Sequence, residues 1–205
     1  GKDQRFSYDS VYFNMSEDYS PPLHSMLLHT ICSFFPETFS WWYAYIINIV
    51  AFLITMISLY CFSVELIHSE NISLFICFLY GTLTGSLNTF IYLRTYALLT
   101  AFAVLYALLI CKMYNQGFQK PGRYLAGLFA LNIAGGLCHY YFLAFVFCFT
   151  AFVLLYLLFT KRIKSALLYT AAMALSAGVY LLIWPQAWGI IGANSEMYAA
   201  HMTLA

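Results

Sequence analysis

The sequence predicts an all-α membrane protein: a polytopic bundle of about six spanning helices with one amphipathic helix on its outer surface. Three observations predict it. Of the 205 residues, 63% are apolar and 20% aromatic. Only 8% are charged, whereas a soluble domain carries about 25%, so this chain cannot cover a water-facing surface. Formal charges are absent from five stretches, 38–64, 71–93, 95–111, 124–160 and 165–195, and a spanning helix needs about 20 apolar residues. The net charge of +1 and the lack of a basic run argue against a nucleic-acid partner. The apolar content excludes disorder.

Residues 1–40 stand apart, with five of the eight acids: Asp3, Asp9, Glu17, Asp18 and Glu37. Ser20-Pro21-Pro22 reads as a helix start, a capping hydroxyl followed by proline where no N–H is needed. Behind it Leu23, Met26, Leu27, Ile31 and Phe34 share a helical face, and Ser25 and His29 fall on another. The helix over about 21–34 is too short to span and is expected to lie along the surface. The first span, 41–62, opens on Trp41-Trp42-Tyr43, an interfacial aromatic belt. The next two cover 72–92 and 94–113. The charge-free run 124–160 would be about 55 Å long as one helix, too long for a hydrocarbon core of about 30 Å. It must break, and the corner is expected at Gly135-Gly136-Leu137-Cys138-His139, giving spans 121–137 and 140–160. The last span, 166–184, closes on Trp184-Pro185. Thus 1–40 is expected to be an outer loop, 41–184 the bundle and 185–205 the start of another outer loop. Starting at Gly1 and stopping at Ala205, the chain is expected to be a piece of a longer protein.

Orientation follows from Lys and Arg in short loops. Lys112, Lys120 and Arg123 lie in 112–123, and Lys161, Arg162 and Lys164 in 161–164. With six spans both loops fall on one side, expected to be the cytoplasm. The loop 63–71 should share that side although it carries Glu65, His68 and Glu70. The unusual polar residues then gather at the outer side: Asp18, Arg94, His139-Tyr140-Tyr141, and Glu196 and His201 in the tail.

Each has a plainer reading. Asp18 can merely complement the positive end of the helix it precedes. Arg94 can snorkel to lipid phosphates, since arginine is costly near the membrane centre and cheap at its edge. His139 can be a hydrogen-bonded interfacial residue, and His24 and His29 ordinary surface residues. Asn48, Asn88 and Asn132 are expected to bond neighbouring helices, and Gly81-Thr82-Leu83-Thr84-Gly85 to fit a close crossing. The six scattered cysteines show no zinc spacing and read as small core- or lipid-facing residues.

Asp18-Tyr19-Ser20-Pro21-Pro22-Leu23 resembles the D-x-H-P-P-L of the first outer loop in GT-C membrane glycosyltransferases, especially the bacterial relatives of the protein O-mannosyltransferases of family 39. Asp18, Pro21, Pro22 and Leu23 match, and Ser20 replaces the histidine. The flanking stretches, Arg5 to Asn14 and Leu28 to Pro36, also look like bacterial members. Arg94-Thr95-Tyr96-Ala97-Leu98-Leu99 is similar to the family's R-x-Y-A-L-L, and His139-Tyr140-Tyr141-Phe142 to its H-Y-Y-F.

The resemblance implies a glycosyltransferase that moves a sugar from a polyprenyl-phosphate donor to an acceptor on the outer face of the membrane. A carboxylate takes the proton of the attacking hydroxyl, and cationic groups or a divalent metal stabilise the departing phosphate. Asp18 is the candidate catalytic residue. Arg94, Tyr96, His139, Tyr140, Tyr141 and His24 are the candidate substrate-binding residues, with Arg94 on the donor phosphate because its planar fork suits two phosphate oxygens. In the family the base usually belongs to an acidic doublet just after the first span, which would precede Gly1. This piece is therefore expected to lack it.

Two other classes fit a polytopic chain. A transporter usually shows broken helices and ionisable groups at mid-membrane, and these spans are charge-free except at their outer ends. A non-catalytic scaffold would not need Asp18, Arg94 and His139 on one side. An enzyme using nucleotide sugars at the inner face would want an acidic metal motif, and only Glu65 and Glu70 lie there.

Overall fold

A computed structural model of the chain describes residues 5–35, 38, 40–119 and 121–189. Glu196 and His201 lie outside the described residues, as do Asp3, Glu37 and Lys120. Every element among the described residues is a helix: α1 (Tyr8–Glu17), α2 (Leu23–Phe34), α3 (Trp42–Ile67), α4 (Glu70–Thr82), α5 (Thr84–Ile91), α6 (Tyr96–Asn115), α7 (Gly122–Cys138), α8 (Tyr140–Phe159) and α9 (Ile163–Ile183). The chain is an integral membrane protein, an all-α bundle. Four helices, α3, α6, α8 and α9, are each long and apolar enough to cross a membrane.

The other two expected spans differ from the expectation. The segment 72–92 is α4 and α5, bent by 60° at Leu83. It still traverses the bundle. Glu70 follows directly on the end of α3, whereas Asn48, near the start of α3, donates its amide to the carbonyls of Phe90 (2.7 Å) and Tyr92 (3.1 Å). A loop returning to its own side could not make both connections. The segment 121–137 forms α7, whose 17 residues rise only about 26 Å. It nevertheless runs the whole length of α6: Gln116 Nε2 donates to the Tyr124 hydroxyl at one end, and the Cys138 thiol to the Thr95 carbonyl (3.7 Å) at the other.

The expected corner forms, but not on the glycines. His139 is extended (φ −162°, ψ 141°), while Gly135 and Gly136 continue α7. A Cβ on Gly135 would stand 2.3 Å from the Phe142 ring, and one on Gly136 2.8 Å from the Tyr180 ring. Glycine is needed there for close approach between helices rather than for the turn. The Gly81-x-x-x-Gly85 reading is corrected in the opposite sense. Nothing lies within 4 Å of a Cβ on Gly85, and the pair straddles the α4/α5 break instead of a helix crossing.

The core has two parts. Tyr106, Met113, Leu128, Phe142, Leu157 and Tyr169 unite α6, α7, α8 and α9. Ala51, Ala97, Ala101, Leu98 and Cys138 let α3, α6 and α7 approach closely. Asn132 bonds α7 to α9 through the Ser176 hydroxyl at 2.8 Å, as expected, and Asn48 bonds α3 to the end of α5. Asn88 is exposed and bonds no neighbouring helix.

α2 forms as expected, but Ser20 does not cap it. The N-cap is Pro22, without a side-chain bond, and the Ser20 hydroxyl turns back to the Asp18 carbonyl at 3.4 Å. Its polar side is covered by an element the sequence reading did not foresee, α1 with the turn before it. Ser33 Oγ accepts from the Phe6 amide (3.1 Å), Arg5 Nε reaches the Ser33 carbonyl (2.9 Å), and Tyr8 meets Thr30 (3.0 Å). Leu27 and Phe34 are left exposed.

Charge divides the bundle into two ends. At one end among the described residues lie Lys112, Arg123, Lys161, Arg162 and Lys164 with Glu65 and Glu70; at the other lie Arg5 and Arg94 with Asp9, Glu17 and Asp18. Glu65, which disagreed with the orientation rule, stands 3.8 Å from Lys112 and accepts from Asn115 (3.0 Å).

Candidate functional site

The segments Asp18–Leu23, Arg94–Leu99 and His139–Phe142 are far apart in sequence and meet at the acidic end of the bundle. Tyr140 opens α8, and its hydroxyl donates to the Tyr19 carbonyl at 2.7 Å across 121 residues. The same hydroxyl accepts from Trp184 Nε1 at 2.9 Å. Trp184 is fully buried at the end of α9, edge-on to Tyr12 (ring centroids 5.1 Å apart). The Tyr12 hydroxyl donates to the Ile183 carbonyl at 2.9 Å. Tyr19, in the left-handed region at φ +51°, is held from both sides, because a Cβ on Gly189 would come within 2.5 Å of its ring. Such a backbone costs on the order of 1–3 kcal/mol and persists only where the surroundings impose it.

The second junction is aromatic. His139 tilts at 32° against both Tyr96 (5.7 Å) and Tyr141 (4.6 Å). Its Nδ1 accepts from the Tyr141 amide at 3.2 Å and caps α8. Burial lowers its pKa from the usual 6.5, which favours the neutral imidazole. The extended backbone of residue 139 turns this ring away from the helix axis and towards the start of α6. Arg94 is exposed in the Tyr92–Thr95 turn, with its guanidinium 5.6 Å from the centre of the Tyr92 ring. This turn is fixed from beneath by the Asn48 bond to Tyr92.

The structure thus brings Tyr96, His139 and Tyr141 together, and ties Tyr140 to the residue next to Asp18. Asp18 is exposed where α1 ends, so it does not directly precede a helix as expected. His24 lies on α2. Its Nε2 is buried without a hydrogen-bond partner, and burial lowers its pKa. Four cavities among the described residues are almost wholly apolar, and none takes a wall from Asp18, Arg94 or His139.

Sequence reading missed Tyr12, Tyr19 and Trp184 as parts of this arrangement. Tyr19 lay inside the quoted motif and Trp184 at the end of the last span, but no spacing rule links them to Tyr140. Among the described residues no three His, Cys, Asp or Glu side chains gather to hold a metal ion, so these residues offer no ligand set for the divalent metal considered above. The end is equipped instead with a guanidinium, tyrosine hydroxyls and tilted aromatic rings, groups suited to a phosphate and a sugar. No family model, curated protein or solved structure matches the chain.

Proposed function

We propose that the chain belongs to a glycosyltransferase that moves a sugar from a polyprenyl-phosphate donor to an acceptor outside the cytoplasmic membrane. The basic end faces the cytoplasm, and the Arg94 end is the working face. One observation carries the reading: the D-x-x-P-P-L, R-x-Y and H-Y-Y segments join at one end through the Tyr140–Tyr19 bond and the Tyr96–His139 ring contact. Arg94 holds the donor phosphate at headgroup level, Tyr96 and Tyr141 offer sugar-stacking faces, His139 orients them, and Asp18 organises the acceptor side.

The test is transfer from a radiolabelled polyprenyl-phosphate sugar by the full-length protein in membranes. Arg94→Lys is expected to lose at least tenfold in donor affinity while the protein still inserts and folds. Asp18→Asn should lose transfer with donor binding largely kept. Unchanged donor binding in folded Arg94→Lys would leave Arg94 as a lipid anchor and remove the proposal's phosphate site.

A second reading, a transporter, is favoured by the α4/α5 break, since discontinuous helices build many transport sites. No charged side chain lies between Glu70 and Arg94, which counts against an ion-coupled site at the break. Solute flux in proteoliposomes without sugar transfer would favour it.

A further inference from the structure

At the end opposite the candidate site, a groove of about 320 Å³ lies over α6 between the last turns of α3 and α8. Its walls include Phe62 and Leu66 from α3, Ala107 and Tyr114 from α6, and Phe149 and Tyr156 from α8. From Tyr114 to Ala107 it runs about 10 Å into the bundle, at 1.5 Å rise per residue. Its deep part is apolar throughout, and its volume falls at the lower bound of sites that hold organic ligands, about 300–1,000 Å³.

The mouth of the groove differs from its floor. Tyr156 belongs to the last turn of α8, which runs directly into Thr160, Lys161 and Arg162. The Arg162 guanidinium donates to the Gly117 carbonyl, beside the groove wall Phe118. On the facing wall Lys112 lies one residue from the lining Cys111, paired only loosely with Glu65 at 3.8 Å, with both side chains about one-third exposed. Among the described residues this end holds five cations against two carboxylates. Lys161 stands in the left-handed region at φ +55°, where glycine would be unstrained, and its side chain is exposed.

We propose that this groove binds an anionic phospholipid, with an acyl chain against Phe149, Val153 and Ala107 and the headgroup phosphate between Lys161, Arg162 and Lys112. The argument is charge complementarity at the mouth of an apolar slot. Basic pockets between spanning helices on the cytoplasmic side hold such headgroups, and a zwitterionic lipid would gain the chain contacts without the charge. The proposal does not depend on the transferase reading, because the groove is at the other end.

The experiment compares phosphatidylglycerol with phosphatidylcholine of identical chains, added to the detergent-purified full chain, and reads retained lipid by native mass spectrometry together with the thermal midpoint. Phosphatidylglycerol is expected to be retained at least fivefold more and to raise the midpoint by several degrees. Lys112→Gln with Lys161→Gln should bring retention to the phosphatidylcholine level. Ala107→Trp, which fills the slot, should lower retention of both lipids. Glycerol phosphate, the headgroup without chains, should produce no shift. Equal retention of the two lipids by the unaltered protein overturns the proposal, whether or not the variants fold. So does a shift with glycerol phosphate alone, which would mean a free-phosphate site.

Discussion

Gly135 shows how a single atom sets the packing between α7 and α8. With Phe142 already 2.3 Å from the position of a Cβ, Gly135→Ala forces the ring or the helix to move. Overpacking of this kind costs about 1–3 kcal/mol. Gly135→Ala is therefore expected to lower the thermal midpoint in detergent, and Phe142→Leu in the same chain to recover part of the loss. Gly85→Ala, with open space around it, should change little. His24 provides a second residue-scale expectation. Its pKa is lowered by burial from 6.5, so the undocked helix binds more protons than the docked one. Stability is then fully present above pH 6.5 and declines as pH falls below 6.5 towards the lowered value. His139 is shifted in the same direction by the same cause and adds to the slope. The midpoint should fall between pH 7 and pH 5, and His24→Leu should flatten that fall; an unaltered slope in His24→Leu/His139→Phe would show that other groups govern it.

At the scale of elements, the broken span is the least self-sufficient part of the bundle. An unbroken apolar helix satisfies its backbone within itself, but α5 has eight residues and ends on carbonyls held by a side chain from α3. Asn48→Leu removes both of these bonds. Interhelical side-chain bonds in membranes are worth about 0.6 kcal/mol on average and up to about 1.7. The loss is expected near the upper value, because two carbonyls of one turn are released together, and unfolding of the purified protein in detergent measures it. The α2 helix teaches a different lesson. Its apolar spacing was readable, yet Ser33 is buried while Phe34 is exposed. The surface bonded to Ser33 is the Arg5–Phe6 turn leading into α1, a segment whose weakly patterned sequence gave no signal of its own.

For the whole molecule, the two ends carry different chemistry, and labelling tests that division. In a background lacking the six free cysteines, single cysteines at the exposed Gln119 and Lys161 are expected to react with an impermeant maleimide from one side of the membrane only. Cysteines at Tyr92 and Tyr141 should react from the other. Labelling of the Gln119 and Tyr92 positions from the same side would mean that α6 does not cross the membrane.

Sequence alone determined that the chain is a helical membrane bundle, because burying 63% apolar residues with 8% charge leaves the bilayer as the only solvent that fits. It also determined the ends of α6, α8 and α9 to within three residues, since charges and interfacial aromatics stop an apolar helix at the water boundary, whereas α3 runs past the expected end at 62 and through Glu65 to Ile67. That the run 124–160 breaks followed from its length, and the corner was expected within Gly135–His139, but that it falls on His139 rather than on the glycines was not legible. The candidate residues Arg94, Tyr96, His139, Tyr140 and Tyr141 were legible as polar or aromatic groups at span ends. Only the tertiary structure decided that His139 packs on Tyr96, that Tyr140 holds Tyr19 and Trp184, and that Gly135 serves packing rather than the turn. Periodicity records which face of a helix is apolar and carries no information about the rotation of one helix against another. That rotation is fixed by side-chain volumes at the crossings, by Ala51 against Ala97 and Ala101 and by Phe142 over a bare glycine, where van der Waals contact allows one fit.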